Sequence, residues 1–146
     1  MSFRDSSGRE FVCVVNLSTV IELKRRHGIN VNDIGQGDLL ARIANDPELL
    51  VNMLWTCCEG SAKSLGFDEI QFAQSLGGDS LENAVDAMLD AIILFFPPLK
   101  RGAMMKLIEK GRLVQRLASE RAMTAIEALT PEQILTSYSS AGSKAG

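Results

Sequence analysis

Three features of the sequence predict a mainly α-helical fold: a compact helical domain of about six or seven helices with one short N-terminal β-strand, or a small β-hairpin built on it. Apolar residues recur every three or four positions across residues 81–96, the period of a helix with one buried face. Two cap–proline–acid triplets, Asp46-Pro47-Glu48 and Thr130-Pro131-Glu132, mark helix starts. A single run, residues 11–17, is rich in valine and aromatic character. With 146 residues, 46% of them hydrophobic and 23% charged, the chain has the size and balance of one globular domain.

The elements follow in order. Residues 1–9 are polar and are expected to form a flexible N-terminus. Residues 10–138 form the single helical domain. Its strand, residues 11–17, puts Phe11, Cys13, Val15 and Leu17 on one face. That strand needs a partner, and residues 28–34 or a strand from another chain are the candidates. Ser18 or Thr19 caps a helix to about His27, with Glu22 completing a box with Thr19 and Gly28 ending it. Residues 33–36 read as turn, and Asp38 caps a short helix carrying Leu39, Leu40 and Ile43. Asp46 and Pro47 open a helix that is apolar nearly all round and runs to about Leu65, where Gly66 stops it. Asp68 caps a short helix with Ile70 and Phe72.

The best-punctuated element comes next and is expected to be the central core helix. Gly77-Gly78 ends the preceding segment, Asp79 caps with Glu82 in a capping box, and Leu81, Ala84, Val85, Met88, Leu89, Ile92, Phe95 and Phe96 form the apolar stripe. Pro97-Pro98 stops it. One long basic helix follows to about Leu129, with Met104, Leu107, Ile108, Val114, Leu117 and Ala118 inward; Gly102 and Gly111 weaken it by about 1 kcal/mol each. A last short helix covers residues 133–138, and residues 139–146 read as a disordered tail.

Charge divides the chain. Residues 29–98 hold eleven acids against Arg42 and Lys63, whereas residues 99–121 hold seven bases against Glu109 and Glu120. The net charge of −3 gives no global drive toward nucleic acid or an anionic membrane. No apolar run is long enough to span a bilayer, and the three cysteines suit a reducing compartment, so a cytoplasmic protein is expected.

Chemistry is sparse. The one histidine, His27, sits at a helix end without triad partners. Cys57 and Cys58 point about 100° apart on a helix and read as buried small hydrophobes, not as a metal pair. Glu82, Asp86 and Asp90, with Glu59 or Glu69, are a candidate cation stripe, but a solvated face or one paired with the basic helix is favoured. The basic stretch lacks aromatic residues for base stacking, and neither Gly35-Gln36-Gly37 nor Gly77-Gly78 has phosphate-loop spacing. No catalytic residue, cofactor or metal is assigned, and an enzyme is not expected.

Residues 17–34 (LSTVIELKRRHGINVNDI), 44–58 (ANDPELLVNMLWTCC) and 72–101 (FAQSLGGDSLENAVDAMLDAIILFFPPLKR) carry a recognisable order. A short strand is followed by a helix with a basic end, an Asp-Pro helix, a Gly-Asp-x-Leu helix ending in a double Phe, and a basic helix. Over residues 10–125 this resembles a family of phage and prophage tail assembly chaperones and related small tail-region proteins. The resemblance implies a non-enzymatic protein of the host bacterial cytoplasm that binds the tape-measure protein, recruits tail-tube subunits and leaves before the virion is complete. The family has no motif that assigns single binding residues. A partner-binding face is therefore read from the residues around the double proline: Phe95, Phe96, Leu99, Lys100, Arg101, Met104, Met105, Lys106 and Lys110, with homodimerisation through the strand or the basic helix as a further expectation. The competing readings are a nucleic-acid-associated or regulatory protein acting through residues 100–121, and a metal-dependent enzyme using the acidic stripe.

Overall fold

The structure, a computed structural model, describes residues 1–128. It is mainly α-helical: nine elements run β1 (Ser2–Arg4), β2 (Glu10–Val12), α1 (Leu17–His27), α2 (Asp33–Gln36), α3 (Leu39–Asn45), α4 (Pro47–Ser64), α5 (Glu69–Gln74), α6 (Asp79–Phe95) and α7 (Pro98–Glu127) among these residues. The chain separates into a first unit, Met1–Ile108, and a second beginning at Glu109. The short helix expected over residues 133–138 and the tail at 139–146 lie outside the described residues.

The N-terminus is not the free segment its polarity suggested. Ser2–Arg4 pairs antiparallel with Glu10–Val12, in the register Ser2 with Val12, Phe3 with Phe11 and Arg4 with Glu10. Phe3 supplies the reason, because one aromatic side chain in an otherwise polar segment is enough to bury a strand face. The partner of β2 is thus this chain's own N-terminus, not residues 28–34. Asp5 closes the turn, its enclosed carboxylate accepting hydrogen bonds from the N–H groups of Ser7 and Arg9 at 2.9 Å each and from Arg9 Nε at 2.7 Å. β2 is shorter than expected because α4 takes over its outer edge. Val12 N–H donates to Ser61 Oγ at 3.1 Å and Val14 N–H to the Cys57 carbonyl at 3.0 Å.

Aromatic rings fasten this hairpin to the helices. Phe11 lies 5.7 Å from Phe3, 5.8 Å from Phe67 and edge-on to Phe72 at 5.2 Å, and Phe72 in turn meets Trp55 at 5.7 Å. The Arg9 guanidinium covers the Phe67 ring at 4.6 Å.

Helix starts follow the sequence closely at α4 and α5, where Asp46 accepts from Leu49 N–H and Asp68 from Gln71 N–H. Two starts differ. α1 begins earlier, capped by Asn16, and Thr19 is the box residue at its third position, not the cap. α6 begins at Asp79 with Gly78 as the cap residue at φ 54, so the Asp79 side chain makes no cap. Glycine permits that left-turned backbone without a Cβ clash, and Ser80 Oγ instead closes the turn by donating to the Gly77 carbonyl at 2.8 Å. Residues 33–36 form one helical turn, not an open turn.

The hub of the first unit is α4, not α6. α4 packs against β2, α1, α3, α5 and α6, whereas α6 packs against β1 and α4. The nearly all-round apolar surface of α4 makes this possible: Leu49, Leu50, Met53, Leu54, Trp55, Cys57, Cys58 and Ala62 are buried. A partly exposed ion network ties α1 to α4, with Arg26 bound to Glu22 at 2.6 Å and to Glu59 at 2.8 Å, and Lys63 to Glu59 at 2.7 Å.

Candidate functional site

The residues expected to grip a partner cluster where α6 hands over to α7. Phe96 leaves the helix with extended ψ ahead of the two prolines, and neither proline supplies an N–H for the last carbonyls of α6. Arg101 meets that need, Nη2 donating to the carbonyls of Leu94 at 3.1 Å and Phe96 at 3.2 Å. Lys100 Nζ donates to Asn32 Oδ1 at 3.0 Å and lies 5.2 Å from the Phe96 ring centroid. Both bases therefore fasten the corner of the fold internally.

The nine predicted residues divide. Phe96 and Met104 are buried in the core and cannot present a shared surface in this fold. The Met104 sulfur lies against Gly35, where a Cβ would stand 3.2 Å from it, so glycine there permits the close packing of α2 on α7. Phe95 is half-buried against the core, ring to ring with Phe96 at 5.6 Å. Leu99 is 97% exposed, Met105 and Lys106 are exposed, and Lys110 is exposed in the second unit.

A second set of apolar residues emerges from Glu109 onward. Leu113, Val114, Leu117, Met123 and Ile126 are all exposed, Val114 at 66% and both Met123 and Ile126 at 61%. Val114 and Leu117 were expected to face inward, as were Leu107 and Ala118, which are also exposed; of that set only Met104 and Ile108 are buried. Helical period told that these positions share a face but not whether anything lies against it. Leu113, Met123 and Ile126 were not singled out in the sequence; Leu113 lies four residues before Leu117, whereas Met123 lies six beyond it. Exposed bases, Lys110, Arg116 and Arg121, alternate with them along the helix.

The other candidate chemistry is accounted for locally. His27 Nε2 stands 3.3 Å from Thr56 Oγ1, whose proton goes to the Asn52 carbonyl at 2.8 Å, so the imidazole serves as donor. Glu59 is held below its ordinary range by hydrogen bonds from Lys63 and then Arg26. Glu82, Asp86 and Asp90 are exposed on α6, and an open cleft of about 410 Å³ between β1 and α6 is lined by Phe3, Arg4, Asn83, Asp86 and Asp90. Among the described residues no group of three or more His, Cys, Asp or Glu is arranged to hold a metal ion. Nor is any of their helices long and apolar enough to cross a membrane. No family model, curated protein sequence or solved structure matches the chain.

Proposed function

We propose that this chain is a non-enzymatic interaction protein of the tail assembly chaperone kind, which holds a helical segment of a tape-measure protein on α7. The observation that carries the reading is the exposed apolar series Leu113, Val114, Leu117, Met123 and Ile126. Leu113, Val114 and Leu117 fall within about 100° of one another on the helix, and a helix that leaves such a face in water gains by laying it against a partner, the helix-in-groove mode of recognition. The interleaved bases Lys110, Arg116 and Arg121 select the occupant: an amphipathic helix with acidic residues beside its apolar stripe. Lys100 and Arg101, tied to Asn32 and to the end of α6, are withdrawn from the set of free phosphate contacts, which weakens the nucleic-acid reading.

The test is co-expression with a tape-measure protein followed by affinity capture at moderate salt. Capture of the full chain, lost when Leu113→Ser and Leu117→Ser are combined, supports the proposal. No complex with the unaltered chain at low or moderate salt overturns it.

A further inference from the structure

The three cysteines are far apart in sequence or adjacent on a helix, yet the fold brings two sulfurs together. Cys13 leaves β2 as that strand crosses α4, and its Sγ stands 3.2 Å from Cys58 Sγ. Both residues are buried, Cys13 at 3% and Cys58 at 0% exposure. Hydrogen bonds on either side of Cys13 hold it in place, Val12 N–H to Ser61 Oγ and Val14 N–H to the Cys57 carbonyl. A disulfide needs its sulfurs at about 2.05 Å, so the two have about 1 Å left to close. The spacing is too short for two thiolates sharing a zinc ion, which tetrahedral Zn–S bonds place about 3.7 Å apart.

We propose that Cys13 and Cys58 are an oxidation site that forms an intramolecular disulfide, stapling the N-terminal hairpin to α4. In the reduced chain the pair is quiet. Cys58 is pushed up by its hydrogen bond with Cys13 and then by burial, and burial pushes Cys57 up to about 12. Access requires local opening of the hairpin, whose two strands are only three residues each. The oxidant is hydrogen peroxide, small enough to enter with water. Its O–O bond breaks as the Cys13 sulfur takes one oxygen, giving a sulfenic acid and one water. The Cys58 sulfur then displaces that oxygen, which leaves as a second water carrying the Cys58 proton. Two thiols are oxidised by two electrons and one peroxide is reduced to two waters. Cys57 takes no part, because the sulfur that meets Cys13 at 3.2 Å is that of Cys58.

The experiment treats the full chain with hydrogen peroxide, then alkylates, digests and maps the cysteines by mass spectrometry. The expected result is one Cys13–Cys58 linked peptide within a monomer, a mass lower by two hydrogen atoms, and an alkylated Cys57. The bridge closes a long loop, so the melting temperature rises by about 10 °C and returns with dithiothreitol. The Cys57→Ala chain retains all of this, and Cys58→Ser loses it. Should Cys58→Ser fail to fold, the peptide map of the unaltered chain and the Cys57→Ala melt decide by themselves. A bridge through Cys57, a bridge between two chains, or three thiols still free or oxidised only to sulfinic and sulfonic acids overturns the proposal.

Discussion

The unit Met1–Ile108 puts its largest apolar side chains out of water, while residues 109–128 leave theirs in it. Phe11, Phe72, Leu23 and Met53 are fully buried in the first; Leu113, Val114, Met123 and Ile126 are exposed in the second. The presence of Leu, Val, Ile and Met does not separate the two regions, since both carry them. What differs is the number of neighbours each sequence provides. The first unit packs β2 and four helices, α1, α3, α5 and α6, against α4, so their apolar faces meet another. A single helix offers its stripe no such surface, and helices gain most of their stability from packing one. The lesson is that an apolar period marks a face wanting cover, not a face that has it.

The sharpest way to break this contrast is to empty a position in each region. Phe72→Ala removes the ring that joins Phe11 to Trp55 and is expected to destabilise the fold by about 3–5 kcal/mol in urea melts. Leu113→Ala is expected to change stability by less than about 0.5 kcal/mol. Comparable losses for the two would show that residues 109–128 are packed after all.

A smaller effect tests the hairpin's place in the first unit. Asp5→Ala leaves the amides of Ser7 and Arg9 without their acceptor and should cost about 2 kcal/mol. The same carboxylate gives a pH signature. Burial pushes it up, but hydrogen bonds from Arg9 and Ser7 outweigh this and hold it below its ordinary value of 3.8. Glu59, held below 4.5 by Lys63 and Arg26, acts the same way. With both groups lowered in the folded chain, the unfolded chain binds their protons first. Their stabilisation is complete above about pH 5 and is lost as pH falls through the lower folded values. Acid titration of the melting midpoint checks this, and Asp5→Ala should flatten the slope.

Smaller still is the α1–α4 ion network. Its members are partly exposed, so Glu59→Gln should cost about 1 kcal/mol or less, and the difference should shrink in high salt. Last comes a substitution expected to leave stability within about 0.5 kcal/mol while abolishing partner capture: Leu113→Ser with Leu117→Ser. A melt unchanged and a capture lost would place the second region's role in binding; a collapsed melt would place it in folding.

Much of this was legible locally. Asp46-Pro47 and Asp68 start helices by contacts within one turn, and Pro97-Pro98 ends α6 by removing N–H groups, so neither depends on distant residues. The mainly helical class followed from periodicity for the same reason. The cap of α1 slipped from Ser18 or Thr19 to Asn16 because all three residue types can cap and only the entering chain direction chooses. Phe3 was passed over because one aromatic in a polar stretch shows no period, and its burial depends on Phe11 across the hairpin. Of the residues expected to bind a partner, Leu99 and Met105 are exposed, whereas Phe96 and Met104 are claimed by the core.

The sequence by itself determined the helical class, the starts of α4 and α5 and the end of α6, because those depend on hydrogen bonds and sterics spanning three or four residues. Only the tertiary structure decided that α4 and not α6 is the hub, that Lys100 and Arg101 brace a corner, and that Cys13 meets Cys58 across 45 positions at 3.2 Å. Each of these joins groups remote along the chain, and which remote faces meet is settled by packing the whole set of stripes at once.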